Sequence, residues 1–223
     1  MSLKNKRLIG YVVAATAVAV CVALIVARRI SRLPEPHPTT TPQEQVRNLY
    51  KATLDGDQNA YLSGFAITNS GQRDFVESGF LVARSEMKFR ARVTKEYGED
   101  AWDRLQKPAK NDDSEFHASL SAPTAEGYTA LESLPEPTSE DSYSYSAPGG
   151  PLEIRRTNNG WLAVIPAGDY GPTTELMHRM RSAIDELSAE LEGDNISFET
   201  LHKNFNSEMA KAWGFTLKKS TRD

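Results

Sequence analysis

The chain has 223 residues, of which 26 are basic and 30 acidic, with a formal net charge of −4 and one cysteine. A single cysteine excludes an intramolecular disulfide and a zinc site built from several thiolates. The charge is unevenly divided, because residues 1–33 carry six Lys or Arg and no acid, whereas residues 34–223 carry a net charge of −10. Such an acidic part repels a phosphate backbone, so we expect no nucleic-acid partner.

An apolar stretch without a charged side chain covers residues 8–27. A helix of this length, at about 1.5 Å per residue, spans about 30 Å, which is the thickness of the hydrocarbon core of a bilayer. Basic residues bound the stretch on both sides, namely Lys4, Lys6, Arg7, Arg28, Arg29 and Arg32. We therefore predict a basic flank over residues 1–7 and a transmembrane helix over residues 8–27, with membrane lipid as its partner.

Two other interpretations of this segment are weaker. A cleaved signal peptide ends in a small-x-small site before a neutral segment, but Ala27 is followed directly by Arg28 and Arg29. A lipoprotein needs a small residue before the modified cysteine, and Val20 precedes Cys21. The basic residues are equally numerous on the two sides, but the N-terminal flank is short and adds an α-amino charge. This predicts a single-pass protein whose soluble domain lies on the non-cytoplasmic side.

Small residues recur at every fourth position of the apolar stretch, at Ala15, Ala19, Ala23 and Ala27. This spacing places them on one helix face, where they would let two transmembrane helices approach closely. An Ala/Val-rich segment also produces such spacing by chance. The two alternatives are therefore a homodimer through this face and a spacing without functional meaning.

A proline-rich linker follows over residues 28–42, where alternating prolines favour an extended spacer between the membrane and the domain. Helical signals begin with Thr41 as an N-cap, and Gly56 ends the first helix. Asp57 caps a second, short helix. A long helix is predicted from Arg73 to Tyr97, and a further helical turn around Trp102.

Alternating residues predict a sheet in the middle of the chain. Candidate strands are Phe116–Leu120, Gly127–Leu131 and a strand from which Tyr143 and Tyr145 point in the same direction. The strongest signal is a hairpin, in which the strand beginning at Leu152 turns at Asn158-Asn159-Gly160 and returns from Trp161.

Residues 167–223 are predicted to form a helical extension. One helix begins at Thr173 or Thr174 and carries an apolar stripe from Met177 to Leu191. Ser197 caps the last helix, one face of which carries Leu201, Phe205, Met209 and Trp213. His178 and His202 fall on the polar sides of these helices and are predicted to be surface residues. The fold class is therefore α+β: an N-terminal transmembrane helix, helices packed on a curved antiparallel sheet, and two C-terminal helices.

Two segments resemble the nuclear transport factor two-like superfamily, which has the cone-shaped ketosteroid-isomerase-like fold. Residues 46–62 resemble its first two helices with the Gly-Asp break between them, and residues 152–161 are similar to its late strand pair, where Gly-Trp opens the second strand. The resemblance implies a cone-like domain over residues 43–166. The superfamily holds enzymes, ligand carriers and protein-binding modules, so the fold alone does not give the function.

Four residues are weak candidates for lining the cavity of such a cone: His117, Tyr128, Tyr143 and Tyr145. Enzymes of this fold use a carboxylate or tyrosine inside an apolar cavity, but none of the four lies in a recognisable catalytic motif. A solvated strand histidine and tyrosines at the core or rim are the simpler interpretation. We therefore predict no catalytic residue. The sequence from Asp55 begins like a calcium-binding loop, but Ala60 and Ala66 stand at the sixth and twelfth positions, where such a loop needs Gly and Glu. We therefore also predict no metal and no cofactor.

Three functional hypotheses follow. The first is a non-catalytic binding module on a membrane anchor, which binds a partner protein, a second copy or a small apolar ligand. The second is an isomerase- or hydratase-like enzyme that uses a carboxylate or tyrosine in the cone cavity. The third is a structural component of a cell-envelope assembly.

Overall fold

The computed structural model describes residues 41–107, 120, 123–137, 139–147, 150–193 and 196–215. The helices in these ranges are α1 Pro42–Asp55, α2 Gln58–Ser63, α3 Ser70–Tyr97, α4 Ala101–Leu105, α5 Ala125–Ala130, α6 Gly171–Gly193 and α7 Phe198–Ala212, with a 3-10 turn at Leu131–Ser133. The strands are β1 Phe65–Ala66, β2 Ser142–Ala147, β3 Gly150–Thr157 and β4 Gly160–Val164. The predicted α+β class is confirmed.

Several predictions fall outside the described residues. These are the flank over residues 1–7, the transmembrane helix over residues 8–27 with its four alanines, most of the linker, and the predicted strand at Phe116–Leu120 except Leu120 itself. Among the helices of the described ranges, none has both the length and the apolarity to cross a bilayer.

The first helices begin and end where capping chemistry predicts. The Thr41 hydroxyl accepts a hydrogen bond from the Glu44 amide at 3.1 Å and thereby caps α1. Gly56 ends α1 in the left-handed conformation at φ +76°. The Asp57 carboxylate then accepts from the Ala60 amide at 2.9 Å and starts α2.

Helix α3 starts earlier than the predicted Arg73. The Asn69 side chain accepts from the Gln72 amide at 2.9 Å, so Ser70 and Gly71 form the first turn of the helix. The predicted end at Tyr97 is confirmed.

The predicted strand at Gly127–Leu131 is wrong, because this segment forms α5 and the start of the 3-10 turn. The Thr124 hydroxyl accepts from the Gly127 amide at 3.0 Å and caps the helix. Glu126 adds an acid in the first turn, where it complements the helix dipole. The short alternation of apolar residues was a weaker signal than this cap.

The sheet has the strand order β1-β4-β3-β2. The predicted hairpin is confirmed, since β3 and β4 pair antiparallel with Thr157 opposite Gly160, and β2 pairs antiparallel with β3. The expectation of a purely antiparallel sheet is wrong, because β1 adds to β4 in parallel with Phe65 opposite Ala163. The Ala163 amide donates to the carbonyl of Gly64 at 2.9 Å, which holds the short β1 segment against the sheet.

Two apolar clusters form the core. The sheet cluster joins α1, the 3-10 turn and three strands through Val46, Leu131, Tyr143, Ile154 and Trp161. The helical cluster joins α3, α4, α6 and α7, with fully buried Phe89, Val93, Ile184, Leu187, Leu201, Phe205 and Met209. The helices after β4 therefore share a core with the second half of α3.

Helices α3 and α6 run in the same direction. Residues further along α3 contact residues further along α6. Ser78 lies beside His178, and the Arg92 guanidinium donates to the Ser188 carbonyl at 2.9 Å. The stripe of α6 packs on α3 and on α7, with Ile184 and Leu187 fully buried.

His178 is exposed as predicted, but the prediction for His202 is wrong. His202 is buried, its ring stacks on Phe198, and its Nε2 lies 2.9 Å from the Lys107 carbonyl oxygen. This contact comes from a residue 95 positions away in the sequence, which helical spacing alone does not reveal.

Candidate functional site

Three of the four predicted cavity residues lie in the sheet cluster. Tyr143 and Tyr145 are two positions apart on β2, so their side chains lie on the same face of the sheet. Tyr128 contacts the same cluster from α5. Tyr50 from α1 completes a group of four tyrosines. His117, the fourth predicted residue, lies outside the described part of the chain.

Tyr50 connects the helices that cover this face. Its hydroxyl accepts a hydrogen bond from the Thr124 amide at 2.9 Å, just before α5. Its ring lies 6.2 Å from that of Tyr128, tilted by 38°. Tyr50 was not predicted as a site residue, because its helical spacing made it one of several core-facing residues.

The face of the sheet that carries Tyr143 and Tyr145 is occupied by the protein's own side chains. Ile154 is fully buried, and Val46, Leu131, Tyr143 and Trp161 are nearly so. These residues pack against one another as one cluster, with Leu134 and Leu152 at its edge. The four tyrosines thus surround a packed apolar centre.

Burial shifts the titration of the two β2 tyrosines. It raises the pKa of Tyr143, with smaller contributions from Tyr145 and Glu136. Burial also raises the pKa of Tyr145, helped by Tyr50. Both phenols are therefore neutral at physiological pH, where they can donate a hydrogen bond but do not act as bases.

The Tyr143 hydroxyl is the chemically unusual group of the cluster. Only 6% of the residue is exposed, and its hydroxyl has no hydrogen-bond partner within the described structure. A buried hydroxyl without a partner costs about 1–3 kcal/mol. A polar group brought by a bound molecule would relieve that cost.

Two shallow grooves lie between helices and are lined mainly by charged or polar side chains. The groove between α3 and α6 has a volume of about 230 Å³ and contains Arg92, which pairs with Glu192. The groove between α6 and α7 has a volume of about 220 Å³. Over the ranges that the structure describes, no cluster of His, Cys, Asp and Glu is arranged to hold a metal ion.

Two large aromatic side chains are exposed at the end of α7, with Trp213 49% and Phe215 54% accessible. Trp213 was predicted on the same face of the last helix as Leu201, Phe205 and Met209; those three side chains are buried, whereas Trp213 is exposed. The amide of Gly214 donates to the Lys211 carbonyl, and the amide of Phe215 donates to the Ala210 carbonyl at 2.8 Å. The Trp213 amide still donates to the Met209 carbonyl at 3.0 Å in helical backbone, and the chain turns only at Gly214, where φ is +80°. Trp213 is therefore the C-cap residue of α7, and Phe215 lies beyond the turn.

Comparison of the chain with protein-family models, curated proteins and solved structures found no match. The resemblance of residues 46–62 and 152–161 to the nuclear transport factor two-like superfamily stays a prediction.

Proposed function

We propose that the chain is a single-pass membrane protein whose α+β domain binds a partner protein and catalyses no reaction. The observation that carries the proposal is the contrast between two apolar surfaces. The sheet face is filled by Ile154, Trp161 and their neighbours, whereas Trp213 and Phe215 are exposed. A filled sheet face leaves little volume for a small apolar ligand, and exposed aromatic residues are typical centres of protein interfaces.

Basic residues near Trp213 and Phe215 in the sequence favour a partner with an acidic rim. Lys211, which pairs with Glu208, precedes the two aromatic residues, and Lys218, Lys219 and Arg222 follow them in the sequence, whereas residues 34–223 together carry a net charge of −10. Complementary charges at the edge of an interface raise the association rate and help to exclude wrong partners. The proposed partner therefore presents an apolar pocket surrounded by Asp or Glu.

The membrane location rests on residues 8–27, whose length and apolarity suit a single transmembrane helix. The linker over residues 28–42 would hold the domain within about 50 Å of the bilayer, at about 3.3 Å per extended residue. A partner in the same membrane or at its surface would then meet the domain at a high effective concentration. We propose that the domain lies on the non-cytoplasmic side.

A photoreactive amino acid introduced at position 213 of the full chain, in membranes of its own host, tests this proposal. We expect one protein to be cross-linked at position 213, and not at the exposed position 203 on the same helix. The purified partner should bind the full chain at least tenfold more weakly when it carries Trp213→Ala and Phe215→Ala. The matched variant Lys203→Ala should bind normally. Cross-links to lipid alone, or equal binding by all variants, would contradict the proposal.

A second candidate is favoured by the buried Tyr143 hydroxyl, which has no partner among the described residues. A neutral tyrosine can donate a hydrogen bond to a carbonyl oxygen, which is the role of such a group in isomerase-like cavities. A small molecule that copurifies with the chain and is lost on Tyr143→Phe would select this candidate.

A further inference from the structure

Strand β2 is an edge of the sheet. The strand order places β3 on one side of β2, and on the other side no strand of the described ranges pairs with it. The strand is six residues long and contains no charge and no proline. Natural edge strands usually carry such residues to prevent pairing with another chain. The edge of β2 therefore lacks the usual protection.

The serines of β2 direct their backbone groups to this open edge. The Arg156 amide donates to the Asp141 carbonyl at 2.9 Å, so residues 141 and 156 form a hydrogen-bonded pair. Hydrogen-bonded and non-hydrogen-bonded pairs alternate along an antiparallel ladder. Ser142, Ser144 and Ser146 are consequently in non-hydrogen-bonded pairs with β3, and their N–H and C=O groups point outward.

The sequence of this edge is symmetric about Ser144, since it reads Ser-Tyr-Ser-Tyr-Ser over residues 142–146. We propose that two copies of the chain pair antiparallel through β2, with Ser144 of each copy on the two-fold axis. In this register Ser142 of one copy lies opposite Ser146 of the other, and each outward-pointing pair exchanges two hydrogen bonds. The two four-stranded sheets become one continuous sheet.

The side chains suit this register. Tyr143 of one copy lies opposite Tyr145 of the other in a non-hydrogen-bonded pair, where side chains approach closely and aromatic pairs stabilise the sheet. The acidic residues Glu140 and Asp141 precede the strand, so antiparallel pairing places them beside the uncharged end of the other copy at Ala147. No like charges meet, and the interface is isologous, as a two-fold dimer requires.

A segment of the same chain is a less suitable occupant of the edge. The alternating sequence before Leu120 is the obvious candidate, but the Leu120 amide is held by the Gln106 side chain at 2.9 Å. The Leu120 side chain packs in the helical cluster, whereas Tyr143 belongs to the sheet cluster. The observations therefore favour a second copy.

Cysteine cross-linking of the full chain in proteoliposomes tests the register, with Cys21→Ala as the background that removes the natural thiol. With a mild copper oxidant, Ser144→Cys should give a disulfide-linked dimer, since the Cα atoms of a hydrogen-bonded pair are about 5.5 Å apart. Ser142→Cys alone should give no disulfide-linked dimer. In this register, position 142 of one copy and position 142 of the other are four residues apart along the strands, which is about 14 Å at about 3.4 Å per residue. A mixture of Ser142→Cys and Ser146→Cys chains should cross-link.

A second variant separates this dimer from other associations. Ser144→Lys would place two ammonium groups side by side on the axis and should convert the dimer to monomer, whereas Ser144→Thr should preserve it. Equal cross-linking at positions 142 and 144, or a dimer that survives Ser144→Lys, would overturn the proposal. The second result would assign dimerisation to another surface, such as the alanine face of residues 8–27. Neither result bears on the partner proposed for Trp213, which is measured separately.

Discussion

Arg84 closes the end of α1 over Gly56. A Cβ atom at Gly56 would lie 3.0 Å from Nη2 of Arg84, and Nη1 of the same guanidinium donates to the carbonyls of Thr53 at 3.0 Å and Leu54 at 2.7 Å. The last carbonyls of a helix have no partner within it, and a cation at this end also complements the dipole. A residue of α3 therefore satisfies carbonyls at the C-terminal end of α1, beside the left-handed Gly56 at which the helix ends.

Replacement of Gly56 by Ala should destabilise the domain by about 1–2 kcal/mol, since the positive φ disfavours any Cβ and the Arg84 guanidinium must also move. The free energy of unfolding, measured by urea denaturation, checks this value. Asp57→Ala, which removes the neighbouring N-cap of α2, provides a comparison of about 1 kcal/mol. An unchanged midpoint for Gly56→Ala would contradict the expectation.

Gly127→Ala should be destabilising for a different reason. A Cβ at this position would lie 2.2 Å from the Tyr50 hydroxyl, although alanine favours a helix. We expect a loss of about 1–3 kcal/mol, which is the usual cost of overpacking. Tyr50→Phe removes the clashing oxygen, so Gly127→Ala should cost less in that background. A double-mutant cycle measures the coupling, and strict additivity would show that the two residues do not touch.

The stability of the domain should fall in alkali through Tyr61, which lies against Phe65 and Phe80. Burial raises the pKa of Tyr61 to about 12. Between pH 10 and 12 the unfolded chain loses the phenol proton while the folded chain retains it, so stability decreases as pH rises. The decrease attributable to Tyr61 should be about 1–2 kcal/mol over this range. It should be absent in Tyr61→Phe, and an equal decrease in that variant would assign the effect to other groups.

Phe205→Ala should test whether α7 belongs to the folded core. Phe205 is fully buried, and its ring stacks on that of Phe89 at 6.1 Å between centroids. Loss of the ring would leave a cavity in the core, which should lower the free energy of unfolding by about 3–5 kcal/mol. Phe215→Ala on the exposed side should change the free energy of unfolding by less than about 0.5 kcal/mol. Similar effects of the two substitutions would contradict the assignment of one ring to the core and the other to the surface.

Local signals predicted most of the secondary structure, since caps such as Thr41 and Asp57 act within one helical turn. The hairpin was also predictable, because Asn158-Asn159-Gly160 defines its turn. Residues with distant partners were harder to predict. The burial of His202 depends on Lys107, the parallel strand β1 depends on Ala163, and Tyr50 joins the tyrosine cluster through Thr124. These contacts arise from the tertiary arrangement and leave no periodic trace in the sequence.

The exposure of Trp213 was missed for a related reason. Its spacing after Met209 continues the apolar stripe of α7, and its amide still donates to the Met209 carbonyl, yet its side chain is 49% exposed at the C-cap of the helix. Helical periodicity predicts the face on which a side chain lies, and it does not predict whether the core extends to the end of the helix.

A native mass spectrum of the full chain, released gently from the membrane of its own host, tests the central claim most directly. Binding of a protein through Trp213 and Phe215 predicts masses of the polypeptide, of its dimer and of complexes with a partner protein, without an added small molecule. The partner complex should disappear when the chain carries Trp213→Ala and Phe215→Ala. A constant small mass that stays on the chain and is lost on Tyr143→Phe would contradict the account, because it would show that the sheet face holds a ligand.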